Sequence, residues 1–230
     1  MLRASINLGN AVLAGRDASG QPTGVTVDLS HALAQRLGIA LELQAYDKAL
    51  DSVEAVSTGR ADIGFFAIDP KRAETILFSP PYVLIEGCYL VKENSPLLQS
   101  EEVDRPGHQV VVGEGSAYDL FLTRTLQRAS LVRVQSSQAV VDECIARSAD
   151  VAAGVREQLE KDRARRGGLR LLPQPFMVIE QAMGCSSARG PAARRGLSEF
   201  VEWAKQTGLV QETLLRHGQT GARVAPAASL

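Results

Sequence analysis

One arginine stands in a setting that could bind an anion. Arg72 lies in the first turn of a predicted helix, with Asp69 as its N-cap and Pro70 at its first helical position. A guanidinium offers a planar fork of donors that matches a carboxylate, and a helix N-terminus adds free N–H groups. The alternative is an ordinary surface arginine that pairs with Glu74 or Asp69 and contacts no ligand. The residues by themselves favour that alternative.

A second polar turn precedes another predicted helix. Gly115 lets the backbone approach a ligand closely, and Ser116 can cap the helix or donate its hydroxyl to an anion. Capping and anion binding are compatible roles for the same serine. The fragment Gly113-Glu114-Gly115 is too short to be a nucleotide-binding loop. The turn therefore predicts a helix cap and leaves ligand contact open.

Groups that could perform catalysis are few. An enzyme needs a positioned acid or base. The sequence has no nucleophile elbow, phosphate loop or dinucleotide fingerprint. Its three histidines are far apart, and it has no Cys-x-x-Cys pair, so we expect neither a metal site nor a cofactor.

Composition excludes several classes of protein. The 230 residues are 45% hydrophobic and carry a formal net charge of −1, which provides no basic field for nucleic acid. The longest apolar runs are strand-sized, and a membrane helix needs about 20 residues. No leader is visible, so either the protein is cytoplasmic or a leader has been removed before this chain begins.

Strands and helices alternate along the chain, which is typical of an α/β protein with largely parallel sheets. Strands are predicted over 5–8, 39–46, 61–68, 84–91, 109–113, 131–134, 149–153, 169–172 and 178–185. Helices are predicted over 27–37, 117–128, 138–147, 155–165 and 191–207, and a last short helix after Gly208. The paired prolines predict a loop at Phe78–Tyr82, and the segment after Gly218 is expected to be frayed.

Several segments, in this order, resemble the amino-acid-binding family of type 2 periplasmic solute-binding proteins, family 3 of the bacterial extracellular solute-binding proteins. Each motif alone is weak, but the ordered set covers nearly the whole chain. The matching segments are Gly20-Gln21-Pro22-Thr23-Gly24-Val25-Thr26-Val27-Asp28-Leu29, Gly59-Arg60-Ala61-Asp62-Ile63-Gly64, Pro70-Lys71-Arg72-Ala73-Glu74, Phe78-Ser79-Pro80-Pro81-Tyr82, Val112-Gly113-Glu114-Gly115-Ser116 and Ser198 to Leu214 with its split at Gly208.

The resemblance implies a two-lobed α/β fold of the periplasmic-binding-protein type 2 class. Lobe 1 would comprise residues 1–88 and 186–230, and lobe 2 residues 92–182. Hinge strands at about 84–92 and 178–187 would join them, with the ligand in a cleft that closes by hinge motion. Cys88 and Cys185 would lie in these strands, where they could be neighbours or, as we favour, separate buried thiols.

The family pattern also assigns site residues and reverses the interpretation of Arg72. In the family, an arginine at this place grips the ligand carboxylate, so with the resemblance Arg72 is expected to contact the ligand. The full set of expected ligand-binding residues is Asn10, Ala67, Asp69, Arg72, Glu86, Gly115, Ser116, Ala117 and Val155.

Three departures put a standard α-amino acid in doubt. The family usually has threonine where this chain has Asp69, and an ionised aspartate repels a carboxylate. It usually has an aspartate for the ligand ammonium where this chain has Val155. The aromatic residues that sandwich ligands are missing, since Ala49 stands where one is common. Either the ligand lacks an α-amino group, which we favour, or Asp69, helped by Glu86, supplies the missing negative charge.

The implied function is capture of a small polar, carboxylate-bearing solute for an ABC importer. The partners would be that ligand and a membrane permease, with no nucleic acid, and the protein would be an extracytoplasmic monomer that is not an enzyme. Two alternatives share the scaffold. One is a dehydratase-like enzyme acting on a ring carboxylate, for which Asp69 and Glu86 would be the acid–base candidates in the implied cleft. The other is the ligand-sensing domain of a receptor.

Overall fold

The computed structural model describes residues 1–228 as a mixed α/β protein. Its strands are β1 (Leu2–Asn7), β2 (Gly15–Arg16), β3 (Pro22–Thr23), β4 (Leu41–Tyr46), β5 (Ile63–Ala67), β6 (Ile76–Lys92), β7 (Gln109–Gly113), β8 (Ser130–Val134), β9 (Val151–Val155), β10 (Leu169–Leu171), β11 (Met177–Ser186) and β12 (Arg223–Val224). Its helices are α1 (Val25–Leu37), α2 (Ala49–Ser57), α3 (Pro70–Ala73), α4 (Ala117–Thr125), α5 (Val140–Ala146), α6 (Arg156–Arg166), α7 (Gly190–Gln206) and α8 (Leu209–Arg216).

The chain divides into two compact units. Unit 1 comprises Met1–Leu84 and Glu180–Leu230, of which residues 229 and 230 lie outside the described residues, and unit 2 comprises Ile85–Ile179. Strands β6 and β11 each contain residues of both units, so the backbone passes from one unit to the other within regular strands.

Unit 1 is built on parallel strands. β1 lies between β4 and β5 and is parallel to both, with Asn7 opposite Tyr46 and Ser5 opposite Gly64. β11 pairs with β5 in the antiparallel direction. Because the three parallel strands point the same way, their carboxyl ends share one edge of the sheet, which we call the carboxyl edge of unit 1.

Unit 2 repeats this arrangement with its own strands. β7 is parallel to both β8 and β9, and β6 runs antiparallel to β9 with Gly87 opposite Val155. The carboxyl edge of unit 2 is therefore the edge at which β7, β8 and β9 end. Val110 and Val112 pack into one hydrophobic cluster and Val111 into another, so side chains cover both faces of this sheet.

Helix boundaries follow local signals where the sequence predicts them. Gly38 ends α1 in the left-handed conformation at φ 65°, and Gly208 separates α7 from α8 at φ 79°. The helix predicted to run to residue 128 is shorter, because α4 ends at Thr125. The carboxylate of Asp104 accepts hydrogen bonds from the N–H groups of residues 127–129 and holds them outside the helix.

The loop predicted at Phe78–Tyr82 is wrong, because these residues form part of β6. Proline removes a ladder donor but fits extended backbone at sites where no donor is needed. The carbonyls here are satisfied instead from α7. Arg194 Nε donates to Phe78 O at 2.9 Å, and Lys205 Nζ donates to Pro81 O at 3.2 Å.

The prediction of a frayed tail is also wrong for the described part of that segment. β12 pairs antiparallel with Val83 and Leu84 of β6, and Ala222 and Ala225 are buried. The Ala225 N–H donates to Tyr82 O at 3.1 Å. Backbone pairing and small buried side chains thus order the tail of unit 1, although residues 229 and 230 of the predicted tail lie outside the described residues.

Candidate functional site

At the carboxyl edge of unit 1, β5 ends at Ala67 and leads into α3. Asp69 is the N-cap as predicted: its Oδ1 accepts a hydrogen bond from the Lys71 N–H at 2.8 Å, and Pro70 is the first helical residue. Asp69 is buried, with 3% of its surface exposed. Its carboxylate therefore already has a structural task at the helix start.

Arg72 is buried and is not the surface arginine of the alternative interpretation. Only 7% of its surface is exposed, and its Nη1 donates to Ala67 O at 3.2 Å. Glu74 pairs instead with Lys71 at 3.0 Å. Burial lowers the pKa of Arg72 to about 10, against the opposing effect of Asp69, so the guanidinium remains a cation at neutral pH. A buried cation is stable only when anions and hydrogen-bond acceptors surround it.

Asn10 lies at the same edge, because β1 and β5 are parallel neighbours. Its side-chain oxygen accepts from the Val12 N–H at 3.3 Å, and its backbone carbonyl accepts from the N–H groups of Leu13 and Ala14 at 3.0 Å. Asn10 therefore shapes the turn after β1. The structure brings four of the predicted site residues to the carboxyl edge of unit 1: Asn10, Ala67, Asp69 and Arg72.

At the carboxyl edge of unit 2, Ser116 caps α4 as predicted. Its Oγ accepts from the Asp119 N–H at 3.1 Å, and Asp119 Oδ2 accepts in return from the Gly115 N–H at 2.9 Å. Gly115 has φ 70°, a conformation that disfavours residues with a side chain. Arg133 Nε donates to Asp119 Oδ1 at 2.9 Å and fixes the capping carboxylate. A serine hydroxyl that accepts in a cap still has its own proton to donate.

Gly113 is the residue that lets this turn pack closely. A Cβ at this position would lie 2.5 Å from Ser137 Oγ and 2.8 Å from Ser137 Cα. Any side chain here would push against the backbone of the turn that follows β8. The close approach fixes where Gly115, Ser116 and Ala117 begin α4.

The end of β9 carries a charge pair that sequence reasoning missed. Val155 ends the strand and offers only an apolar side chain, and Arg156 begins α6 directly after it. Arg156 Nε donates to Glu86 Oε2 at 2.6 Å. Burial acts to lower the pKa of Arg156, but the hydrogen bond and charge of Glu86 outweigh it and raise that pKa. The signal in the sequence was a basic residue directly after the position where the resemblance implies an acid.

Glu86 is predicted to help Asp69 supply the negative charge for a ligand ammonium, and this remains a prediction. In the structure its carboxylate pairs with Arg156 within unit 2. Gly87, which follows Glu86 in β6, lies opposite Val155 of β9. Because β9 is a parallel neighbour of β7, and α4 begins shortly after β7 ends, the Glu86–Arg156 pair lies at the same edge of the sheet as the start of α4. The structure brings five of the predicted site residues to the carboxyl edge of unit 2: Glu86, Gly115, Ser116, Ala117 and Val155.

Three further observations concern the chemistry of residues 1–228. Within this range, no group of three or more histidine, cysteine or acidic side chains is arranged to hold a metal ion. No helix in this range is both long and apolar enough to cross a membrane. Cys88, Cys144 and Cys185 are all buried free thiols, so Cys88 and Cys185 form no disulfide. Burial raises the pKa of the Cys88 thiol to about 11.

Comparison with known proteins identifies the family. The model of the bacterial extracellular solute-binding proteins, family 3, matches residues 6–220. The chain belongs to this family. Its members are solute-binding proteins, and the match extends over both carboxyl edges described above, from Asn10 to Arg156.

Solved structures share the fold of this family member. One is an amino acid ABC transporter substrate-binding protein of Streptococcus pneumoniae Canada MDR_19A bound to L-arginine, with 17% identity, 94% of this chain and 93% of that chain covered, and a TM-score of 0.79. A histidine kinase sensor domain with similarity to periplasmic binding proteins has 18% identity, 98% coverage of both chains and a TM-score of 0.81. The predicted fold class of periplasmic binding proteins is confirmed.

A third solved structure bears on the enzyme alternative. It is the ancestral amino acid-binding protein AncCDT-1, a precursor of cyclohexadienyl dehydratase, with 21% identity, 94% of this chain and 93% of that chain covered, and a TM-score of 0.77. At these identities the three structures establish the fold alone.

Proposed function

We propose that this solute-binding protein captures a small polar ligand bearing a carboxylate outside the cytoplasm and delivers it to an ABC importer. The observation that carries the proposal is Arg72. It is a buried cation in the first turn after β5, at the carboxyl edge of a parallel sheet. Ligands of open α/β sheets bind at this edge.

The chemistry of Arg72 selects the carboxylate. Its guanidinium can donate two parallel hydrogen bonds to the two oxygens of one carboxylate. The low exposure of the side chain removes competing water, which strengthens the attraction for an anion. Ser116 supplies a hydroxyl at the start of α4 that can donate to the same class of group.

The proposal also includes two lobes joined by hinge strands. Residues 1–88 with 186–230 form lobe 1, residues 92–182 form lobe 2, and strands at about 84–92 and 178–187 act as hinges. The ligand closes the lobes on itself. The family description, extracellular solute-binding proteins, supports a location outside the cytoplasm. The transporter protein of Streptococcus pneumoniae supports a membrane permease as partner. We propose that the protein acts as a monomer.

The proposal includes the absence of catalysis. Both acid–base candidates have other tasks, because Asp69 caps α3 and Glu86 is paired with Arg156. The dehydratase precursor is the observation that favours the enzyme alternative. The kinase sensor domain favours a sensory role for the same ligand-binding fold. An importer component and a sensor domain make the same prediction for ligand binding and differ only in the partner.

A thermal-shift screen tests the proposal. The ligands are monocarboxylates, dicarboxylates, aromatic acids and amino acids, each measured against the matching uncharged amide. A ligand at a hundred times its dissociation constant stabilises the folded state by about 2.7 kcal/mol, which raises the melting temperature measurably. We expect at least one carboxylate to raise it and its amide to leave it unchanged. A panel in which amides stabilise as well as acids would contradict the proposal.

A further inference from the structure

Residues 222–228, which we call the C-terminal strap, are fastened to β6 within unit 1. Strand β12 of the strap pairs antiparallel with Val83 and Leu84. The Ala225 N–H donates to Tyr82 O at 3.1 Å, and Ala225 is buried. The strap therefore holds the last three residues of β6 that belong to unit 1.

A buried ion pair of α7 fastens the strap a second time. Lys205 Nζ lies 2.6 Å from Glu202 Oε1, and the two side chains are 4% and 5% exposed. Lys205 Nζ also donates to Pro226 O at 2.7 Å and to Pro81 O at 3.2 Å. Glu202 Oε2 accepts from the Ala228 N–H at 3.2 Å. Buried charges are costly unless hydrogen bonds compensate them, so this pair favours the strap in its fastened position.

The strap ends just before β6 leaves unit 1. The division between the compact units falls between Leu84 and Ile85. On the other side of that division, β9 pairs with β6 from Gly87 to Leu90. Two residues of β6, Ile85 and Glu86, lie between the part paired with the strap and the part paired with β9. Because paired backbone resists changes in φ and ψ, a hinge in β6 is narrowed to these two residues.

We propose that the C-terminal strap is a conformational device that confines the bending of β6 to Ile85 and Glu86. This inference rests on the proposed function, of which hinge motion is a part. Release of the strap would free residues 81–84 as well. A longer bending segment has more backbone conformations, so the hinge would sample a wider range of positions.

Hydrogen exchange tests whether the strap protects this part of β6. Ala225→Pro removes the N–H group that donates to Tyr82 O. We expect the amides from Tyr82 to Leu84 to exchange about tenfold faster, the scale of one lost hydrogen bond, while the amides of β7 in unit 2 keep their rates. Ala227→Pro is the matched control, because it makes the same substitution at an exposed position of the strap. Unchanged exchange from Tyr82 to Leu84 in Ala225→Pro would overturn the inference.

Pulsed electron paramagnetic resonance tests whether the strap limits bending. Nitroxide labels are placed at Gln35→Cys in α1 and Lys161→Cys in α6, both exposed, and the native thiols of Cys88, Cys144 and Cys185 are buried. The measured quantity is the width of the distribution of distances between the labels, with no compound added. We expect Ala225→Pro to broaden the distribution and Ala227→Pro to leave it as in the parent protein.

A second variant decides the inference if Ala225→Pro does not fold. Glu202→Gln keeps an acceptor for the Ala228 N–H but removes the negative charge beside Lys205, so it should broaden the distribution to a smaller degree. Equal widths for the folded strap variant and for Ala227→Pro would overturn the inference. Because these samples contain no ligand, that result would leave the proposed function to the thermal-shift screen.

Discussion

The carboxyl edges of the two units differ in how closely they follow the pattern that the resemblance implies. In unit 1, the short capped helix α3 and the buried Arg72 are as the resemblance implies, and Asp69 stands where the resemblance implies threonine. In unit 2, Ser116 caps α4 as the resemblance implies, but Val155 stands where the resemblance implies an acid, and Arg156 follows it. The comparison indicates that each edge holds an arginine, of which Arg72 is buried and Arg156 is partly exposed and paired with Glu86.

The largest effect on ligand affinity is expected from Arg72, at the carboxyl edge of unit 1. Arg72→Ala should weaken ligand binding by about 2–4 kcal/mol, the scale for removing one partner of a buried charged pair. Isothermal titration calorimetry measures the change. Lys71→Ala is the matched control, because Lys71 is the neighbouring cation but is exposed and pairs with Glu74. Equal affinities for the two variants would remove Arg72 from the binding site.

The packing of the unit 2 turn should give the next largest effect. Gly113→Ala places a Cβ against Ser137, and we expect it to lower the free energy of unfolding by about 1–3 kcal/mol, the usual cost of overpacking. Urea denaturation checks this. Gly196→Ala is the control for which the opposite sign is expected. Nothing lies within 4 Å of a Cβ there, and alanine is the better helix former, so the free energy of unfolding should rise by about 0.5–1 kcal/mol. A neutral Gly113→Ala would show that the turn can shift.

The cap of α4 should contribute less. Ser116→Ala removes the acceptor for the Asp119 N–H and should cost about 1 kcal/mol of stability, whereas Ser116→Asn should retain most of the cap. If Ser116 also donates to the ligand, Ser116→Ala reduces affinity as well as stability. A variant with lower stability and unchanged affinity would limit Ser116 to its capping role.

The smallest effect on stability is expected at Asp69, the residue of unit 1 that departs from the threonine implied by the resemblance. Asp69→Asn preserves an N-cap and should change the free energy of unfolding by only a few tenths of a kcal/mol. Because it removes a negative charge near Arg72, it should strengthen binding of a carboxylate ligand. Calorimetry on Asp69→Asn therefore separates the two explanations of the missing acid. Loss of binding would identify Asp69 as the partner of a ligand ammonium.

Local signals account for the parts of the molecule that sequence predicts well. The cap at Asp69, the start at Pro70 and the end of α1 at Gly38 depend on residues within one turn of each other. The alternation of strands and helices depends on hydrophobic period, which is also local. The resemblance to the family then predicts which of these elements belong to which lobe.

Distant partners account for the parts that sequence reasoning missed. The prolines of β6 are tolerated because Arg194 and Lys205, which lie more than a hundred residues further along the chain, satisfy carbonyls beside them. Arg156 and Glu86 are separated by 70 residues and meet only because β6 and β9 pair. No local pattern encodes such a pair, so its charge compensation becomes visible only in the fold.

Recovery of the bound ligand tests the central claim most directly. The protein is incubated for hours with the carboxylate that stabilises it best, and NMR follows the ligand in the mixture. A binding protein should form a stoichiometric complex and return the ligand chemically unchanged. Accumulation of a product in proportion to the amount of protein, abolished by Asp69→Asn or Glu86→Gln, would contradict this account and establish an enzyme on the same fold.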